Sequence, residues 1–587
     1  MSFNRRSARH GTRSPLLLIL LSIFFVPVPA PAAPHENGFC DGSPSLKPKQ
    51  LKALSDLEKK LSKNQAKQES FASDIAAEEI ALTDAQSDLA VAEALPDETK
   101  SEKKAKKKAV AAAEAKIGMA TKRLSKLEKK LGKKTSKEGK LITEILGIDP
   151  TRFLAFAPEP PGPSPFDPPW ADVIPTLVIP FNHNPALTNQ QNGESLRQAI
   201  LGLQPGDRLE IGEGTWSIAN HFTVPLVGTA SAPIWIVAQE GAHPKLTRPN
   251  EYENVMNIGT TTADTAQYLC VRGLEVEGGS MGIRIYGGSN IWLDGLEIHH
   301  TGDAALTANT VDTHHLYLTR NHIHDTAGYG EGMYLGANGG AVVMRESIVA
   351  RNHIHHTGGP GGQGDGIEVK QGSWGNWIVE NCIHDTNFPC LIAYGTYGNP
   401  INVIERNVCI GSEDNVMQVQ GEAMVRNNLI MNGTVGFYSH DHQDQTRDLS
   451  FVHNTIVNAQ LATTMKSWFN RPGMVFANNV VYSENAGSIV FIGGAAGVTV
   501  SGNVVHGAPY LTPASGYSTG NGLEDFFHAS WDGSSFVVRP VADGPLVGAA
   551  DAAHAETVDL TGEVRGGDLA AGCAQPIAEE VDESVDE

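Results

Sequence analysis

The 587-residue sequence has only six cysteines, few aromatic residues and, beyond its N-terminus, no long apolar run. The wide spacing of the cysteines excludes a small domain held by many disulfides, and no CxxC pair of the metal-binding kind occurs. The apolar run at 16–26 has 11 residues, too few to cross a membrane comfortably. Lysine is nearly absent after residue 150, where only Lys245, Lys370 and Lys466 occur.

The charges divide the chain into two parts. Residues 1–150 carry 27 basic and 19 acidic side chains, whereas residues 151–587 carry 18 basic and 47 acidic ones. The net charge of −21 argues against nucleic acid as the main partner, because a polyanion is repelled by an acidic surface. We therefore interpret the basic and the acidic part separately.

The N-terminus is typical of a secretory signal peptide. Four arginines precede the apolar run, and a stretch rich in Pro and Ala follows it at 27–34. We predict a signal peptide over 1–33 and a protein that is secreted or held at the cell surface or in the periplasm; an uncleaved membrane anchor is the alternative. In an oxidising compartment cysteines can pair, and three lie close enough in sequence for one bridge, with the pairing left open: Cys382, Cys390 and Cys409.

Residues 47–147 are rich in Ala, Lys, Glu and Leu, and apolar residues recur at alternating steps of three and four between Val110 and Leu131. This spacing predicts a coiled-coil seam, and the break at 94–101 predicts an antiparallel hairpin of two helices. The basic cluster Lys103–Lys108 either contacts an anionic polymer or lipid or is the solvated face of a spacer or self-association stalk. A Pro-rich linker is predicted over 148–173, and an acidic tail over 574–587.

A repeat of about 25 residues follows the linker. Short apolar strands end at a marked position, and ten such positions succeed one another: Leu274, Leu296, Asn321, Asn352, Asn381, Asn407, Asn427, Asn454, Asn478 and Asn503. Short β-branched strands with Gly and Asn at the corners at this period predict a parallel β-helix, in which stacked coils share one core. We expect an all-β domain of about 10–12 coils over 174–573.

Two segments carry a resemblance to a known group. The first is Ser195–Trp216 followed by Gly228–Gly241, and the second is the closing stretch Asp559–Gly572. Both resemble segments of the secreted right-handed parallel β-helix, or pectate-lyase-like, superfamily. The resemblance implies a right-handed β-helix, and it leaves the activity open because this fold carries many functions.

One strand of each coil presents a row of outward side chains. Alternation places Ile367 and Val369 inside and Glu368 and Lys370 outside. The same register in other coils exposes Tyr394, His440 and a set that we predict to bind an extended polysaccharide or cell-envelope glycan: Arg284, Tyr286, Tyr334, Gln418, Gln420, Tyr438 and Lys466.

Lys370 is the predicted catalytic base. A lyase removes the proton beside a uronate carboxylate, which requires a base and a group that neutralises this carboxylate. Ca²⁺ could be the neutralising group, and three acidic residues could hold it, namely Glu331, Asp365 and Glu368. Glycine-rich insertions at 328–340 and 357–366 are predicted to wall a cleft. The alternative is an exposed ion pair of Glu368 with Lys370.

The stretch Ile367–Thr386 resembles the alginate lyase and chondroitinase B branch of the superfamily. In that branch a Lys beside a metal-binding Glu is followed one coil later by a catalytic Arg. Lys370 and Glu368 match this pattern, but Ala393-Tyr394 stands where the Arg would fall. Because of this departure from the family's pattern, a lyase would need Tyr394 or His440 to supply the acid.

Histidines form a second constellation, in which four successive coils carry an equivalent outward histidine: His299, His324, His355 and His384. His322 and His353 lie beside two of them, so the group is either a transition-metal site or a repeat ladder without chemistry. Two functions remain open for the whole chain. One is a polysaccharide lyase acting on an acidic polymer; the other is a non-catalytic surface protein that binds glycan on a helical stalk.

Overall fold

The computed structural model describes residues 164–576 except 360 and 542, residues 99–146, and scattered positions between 57 and 96. These residues divide into two compact units, one within 46–148 and the other within 149–576. The predicted signal peptide and nearly all of the acidic tail lie outside the described residues. No helix in the described part of the chain is long and apolar enough to span a membrane.

The first unit contains helix α1, Lys100–Leu146. Thr99 begins it with a capping box, because Glu102 N donates to Thr99 Oγ1 at 3.2 Å and Thr99 N donates to Glu102 Oε2 at 2.8 Å. Lys116 Nζ lies 2.7 Å from Asp88 Oδ2 in the preceding segment. Much of the first predicted arm falls outside the described residues, so the antiparallel hairpin stays a prediction.

The second unit is a parallel β-solenoid, and most of its coils contribute one strand to each of three sheets. Sheet 1 has thirteen strands on one continuous path, with Met344–Arg345 paired beside it. The thirteen are Leu177–Phe181, Asp207–Ile211, Ile234–Ala238, Gln267–Arg272, Ser289–Asp294, Thr313–Thr319, Ile348–Ala350, Trp377–Val379, Asn402–Glu405, Ala423–Arg426, Leu449–Val452, Val475–Ala477 and Thr499–Ser501.

Sheet 2 follows sheet 1 in each coil. Its strands are Thr215–Ser217, Lys245–Arg248, Glu275–Gly278, Glu297–His299, His322–His324, His353–Thr357, Cys382–Thr386, Val408–Ser412, Leu429–Met431, Thr455–Asn458, Val480–Ile492, Asn503–Tyr510 and Tyr517–Thr519. The long strand Val480–Ile492 also pairs with sheet 3 and so joins the two sheets.

Sheet 3 completes most of the coils. Its strands are Thr223–Val224, Met256–Ile258, Ile283–Ile285, Leu306–Ala308, Met333–Leu335, Ile367–Val369, Leu391–Ala393, Asn415–Val419, Val435–Ser439 and Leu461–Lys466. An antiparallel hairpin, Phe526–Ala529 and Phe536–Pro540, follows the last coil. The described residues also contain three short 3₁₀ helices: Asn338–Gly340, Leu523–Asp525 and Ala552–His554.

The inward side chains of all three sheets form one continuous apolar core. Ile367 and Val369 belong to it, which confirms the predicted alternation on that strand. Helix α2, Asn189–Leu201, closes the N-terminal end by burying Leu196 and Ile200 against the first coils. The thirteen strands of sheet 1 correspond to about 13 coils, more than the predicted 10–12, because the first coils lack the marked Asn.

An asparagine ladder joins eight successive coils. Each Asn Oδ1 accepts from the backbone N–H and from Nδ2 of the preceding member, at 2.9–3.3 Å. The members are Asn321, Asn352, Asn381, Asn407, Asn428, Asn454, Asn479 and Asn503. Buried amide groups are thereby satisfied along the edge of these eight coils.

Two of the marked Asn positions lie one residue before the ladder. Asn427 and Asn478 precede the true members and adopt left-handed φ values of 55° and 58°. Their side chains instead bind the C-terminal segment: Asn427 Nδ2 donates to Val558 O and Asn478 Nδ2 donates to Asp551 O, both at 3.0 Å. In an Asn-Asn pair, the second residue therefore continues the ladder, and the first holds the closing segment.

Two peripheral segments pack on the outside of the solenoid. Residues 164–173 lie against sheet 1, where the Trp170 ring is 5.7 Å from that of Trp235 and 6.0 Å from that of Trp292. The C-terminal segment covers the later strands of sheet 2 with a second apolar cluster that includes Phe526 and Leu560. Of the three neighbouring cysteines, Cys390 and Cys409 form a disulfide.

Candidate functional site

The outer face of sheet 3 carries a buried cluster of charged and aromatic side chains at its centre. The strands Met333–Leu335, Ile367–Val369 and Leu391–Ala393 are neighbours, and their register aligns Tyr334 with Glu368. Lys370 and Tyr394 directly follow the second and third of these strands. Because outward residues alternate with core residues, side chains that are far apart in sequence meet on this face.

Lys370 occupies the middle of the cluster and forms an ion pair with Glu368. Its Nζ lies 4.5 Å from the centroid of the Tyr334 ring and 5.4 Å from that of the Tyr394 ring. The side chains of Lys370 and Glu368 are only 6% and 4% exposed. The ion pair is therefore buried, and the alternative of two exposed surface residues is wrong.

Two carboxylates reach the cluster from the turns that precede sheet 3. Glu331 and Asp365 stand two residues before their strands, and Gly332 N donates to Asp365 O at 2.8 Å between the two coils. Glycine is required after each of them because the coils approach closely: a Cβ at Gly366 would lie 2.4 Å from the carbonyl oxygen of Cys390. This close approach fixes the two carboxylates above one another.

Glu331, Asp365 and Glu368 each offer a carboxylate oxygen, and these three oxygens lie within 4.8 Å of one another. Burial raises the pKa of Glu331 to about 7, with the Glu368 charge adding to the effect. Burial and the charges of Glu368 and Glu331 raise the pKa of Asp365 as well. Burial also raises the pKa of Glu368, although Lys370 opposes the shift. The cluster therefore favours protonation or a bound cation.

Hydrogen bonding inside the cluster is incomplete. Within the described part of the chain, no partner is found for the buried oxygens Asp365 Oδ1 and Glu368 Oε2. Buried carboxylate oxygens without partners are costly, and a hard cation coordinated by oxygen would satisfy both. The donor set predicted from the sequence thus fits Ca²⁺ in chemistry and in proximity.

Tyr394 connects this cluster to a turn that lies far away in sequence. Its hydroxyl donates to Glu368 Oε1 at 3.4 Å, and burial raises its pKa, so the hydroxyl keeps its proton. The His442 ring stacks on Tyr394 with centroids 5.1 Å apart. His442 was missed as a site residue, although it lies in an all-polar stretch, 440–444, two residues after the predicted His440.

A loop and this turn together cover the cluster. Gln371 Nε2 donates to His442 O at 3.1 Å, and Gly339 N, in the first glycine-rich insertion, donates to Gln443 Oε1 at 2.6 Å. These contacts explain why Lys370 and Glu368 are buried although both point outward. The insertion therefore forms a cover over the cluster.

The remaining predicted residues extend along sheet 3 on both sides of the cluster. Arg284 stacks on Tyr286 at 4.8 Å, three strands before Glu368, or roughly 14 Å away at the usual strand spacing. On the other side, Lys466 Nζ donates to Tyr438 OH at 2.8 Å. The aligned row is present, but these four side chains do not touch the Lys370 cluster.

Two glutamines and a histidine continue the row of outward side chains from Tyr394 toward Lys466. Gln418 aligns with Ile392 and Tyr438, so one apolar residue interrupts the polar row. Gln420 follows Tyr394 in register and is 2% exposed, and both of its amide atoms lack partners among the described residues. His440 lies one strand further and reaches the cluster only through His442, at a ring distance of 5.5 Å.

The fold also matches known proteins. Residues 250–408 match the family model described as "Right handed beta helix region". The match spans about a quarter of the chain and agrees with the right-handed parallel β-helix fold predicted from the sequence. No curated protein matches the chain in sequence.

Two solved structures are similar in fold. The pectate lyase Pel9A has a TM-score of 0.40 and 16% identity, with 69% of this chain and 98% of that chain covered. An alginate lyase from Paenibacillus sp. str. FPU-7 has a TM-score of 0.33 and 20% identity, with 59% of this chain and 98% of that chain covered. These similarities concern the fold alone.

Proposed function

We propose that this protein is an exported polysaccharide lyase that cleaves an acidic, uronate-containing polymer by β-elimination. The observation that carries the proposal is the position of the Lys370 amine. It lies against two tyrosine rings and beside three buried carboxyl groups on the outer face of sheet 3. A base, a proton donor and a set of oxygen ligands thus converge on one place.

Lys370 acts as the base of the elimination and Tyr394 as its acid. The Lys370 amine, in its neutral form, takes the proton from the carbon beside the uronate carboxylate. A carbon–carbon double bond then forms as the neighbouring bond to the glycosidic oxygen breaks. This leaving oxygen takes the hydroxyl proton of Tyr394, which burial holds on the oxygen until that moment. Tyr394 is better placed to act as the acid than His440, which lies two strands further along the row.

Glu331, Asp365 and Glu368 would hold Ca²⁺ beside this base. When bound there, the ion would neutralise the substrate carboxylate and so make the neighbouring proton easier to remove. Two buried oxygens without partners and the raised pKa values of all three carboxyl groups support this assignment.

The polymer binds along the row of outward side chains on sheet 3. Tyrosine rings suit stacking on sugars, and amide and cationic groups suit hydroxyl and carboxylate groups. Tyr334 stands at the centre, and the other proposed subsites are Arg284, Tyr286, Gln418, Gln420, Tyr438 and Lys466. A sugar that reaches Tyr394 takes the place of the His442 ring, so the hydrogen bond from Gly339 to Gln443 must open on binding.

A panel of uronate polymers tests the proposal. The purified protein is incubated with each polymer in Ca²⁺ and in chelator, and the absorbance of the unsaturated product is followed while glycan binding is measured in parallel. We expect product from at least one polymer, and less in chelator. Binding without any product would contradict the lyase and favour the non-catalytic glycan-binding protein. If no polymer is cleaved and no polymer is bound, both functions are contradicted.

A further inference from the structure

Sheet 2 carries two columns of histidines on its outer face, away from the Lys370 cluster. In the first column, His299, His324, His355 and His384 are aligned in successive strands. Their rings stack with centroids 4.9–5.1 Å apart and nearly parallel planes. In the second column, the rings of His322 and His353 stack at 4.8 Å. The predicted ladder is therefore a continuous imidazole surface.

Three of these imidazoles converge across two adjacent strands. His353 and His355 are two residues apart on one strand, so both point outward, and His322 is paired with His353 on the neighbouring strand. One ring nitrogen from each of the three lies within 4.8 Å of the other two. His322 Nε2 and His355 Nε2 are 2.9 Å apart.

Each ring contact requires a neutral imidazole, which is the form that binds a metal. Two imidazole nitrogens at hydrogen-bond distance need one N–H and one lone pair, so at least one nitrogen in each such contact is unprotonated. The contacts of His322 with His355 and of His353 with His384 are both of this kind, each at 2.9 Å. His355 Nδ1 also contacts His356 Nδ1 at 2.6 Å, which orients its ring.

We propose that His322, His353 and His355 bind a divalent transition-metal ion, such as Zn²⁺, and so clamp two adjacent coils. Imidazole nitrogens suit zinc, copper and nickel. Around a tetrahedral zinc the ligand nitrogens lie about 3.4 Å apart, so the 2.9 Å contact need open only slightly. The His322 side chain is 40% exposed, which gives an ion access and leaves room for water as the fourth ligand.

The neighbouring group of Glu297, His322 and His324 also brings its ligand atoms together, but it is a poorer site. Both ring nitrogens of His324 face carboxylates, with Nδ1 2.8 Å from Asp325 and Nε2 3.2 Å from Glu297. Such contacts favour an N–H on each nitrogen and leave no lone pair for a metal. The two groups share His322, so the proposal commits to one ion.

Titration calorimetry of the full chain with Zn²⁺ after chelator treatment tests this site. We expect one ion per chain and a higher Tm when Zn²⁺ is added, because a ligand of the folded state stabilises it. His322→Gln and His355→Gln should each weaken binding at least ~10-fold, since even the partners of metal ligands cost 10–100-fold when removed. His221→Gln, at an exposed position, is the matched control and should bind as the wild type does.

Three outcomes would overturn the proposal. They are no Zn²⁺ binding by the wild type, unchanged binding by both ligand variants, or a Ca²⁺ titration that competes with Zn²⁺, since Ca²⁺ prefers oxygen ligands. Visible absorption of Co²⁺ bound to the wild type is an independent measurement that requires no variant. A spectrum without nitrogen ligation would also reject the site.

Discussion

The stability of the variant Glu331→Gln, measured as its difference from the wild type, should be greater at pH 8 than at pH 5. Burial raises the pKa of Glu331 from 4.5 to about 7. Below pH 4.5 the group is protonated in both the folded and the unfolded chain. Between about 4.5 and 7 the unfolded chain has lost this proton while the folded chain holds it. The free energy of unfolding therefore falls over this window and levels off above it.

The size of this loss in the free energy of unfolding follows from the pKa shift of Glu331. Each unit of pKa difference corresponds to ~1.4 kcal/mol, so the wild type loses about 3 kcal/mol across the window. The entropy of unfolding is ~2.1 cal/mol/K per residue, which for a solenoid of about 400 residues converts this loss to a Tm difference of about 4 °C. Glutamine has no proton to lose, so Glu331→Gln should lack this decline.

Differential scanning calorimetry at a fixed scan rate, from pH 5 to pH 8, measures the effect. The Tm difference between Glu331→Gln and the wild type should widen by about 3 °C over this range, because part of the decline lies below pH 5. Glu413→Gln, at an exposed position, is the matched control and should follow the wild type. Added Ca²⁺ should raise the wild-type Tm at pH 8. A Tm difference that is the same at every pH would refute the buried-carboxyl account.

Two further predictions concern the acid and the ladder. Tyr394→Phe removes only the hydroxyl, so it should lower turnover by ~10²–10⁴-fold with little change in KM, as steady-state kinetics on the cleaved polymer would reveal. Unchanged turnover would exclude Tyr394 as the acid. Asn381→Leu leaves the N–H of Asn352 without an acceptor and removes one of the two acceptors of Asn352 Nδ2, which still donates to Leu318 O. It should lower the free energy of unfolding by at least ~3 kcal/mol in urea denaturation, and a cost below ~1 kcal/mol would contradict the ladder.

The repeat alone predicted the solenoid, because each coil must repeat its inward residues to share a core. It predicted the coil number less well, since the first coils carry no marked Asn. The sequence did not reveal which Asn of the pairs 427–428 and 478–479 joins the ladder. The C-terminal segment, which lies more than 70 residues away, binds the first Asn of each pair and leaves the second for the ladder.

The candidate site was predictable in its residues but not in its burial. Alternation and register bring Tyr334, Glu368, Lys370 and Tyr394 together, as expected from the period of the strands. The cover over them depends on contacts between loops that are far apart in sequence, such as Gly339 N with Gln443 Oε1. No local pattern encodes such a contact, so the exposure of the ion pair was misjudged.

The most direct test of the central claim compares two identical substitutions at two lysines. Lys370→Met removes the proposed base, whereas Lys245→Met removes a lysine that pairs with Glu275 and Glu277 on sheet 2. On a polymer that the wild type cleaves, the rate of unsaturated product is measured for all three proteins after circular dichroism shows that each is folded. Loss of product in Lys370→Met and its retention in Lys245→Met is the predicted result. Equal rates in the two variants would contradict the assignment of Lys370 as the base.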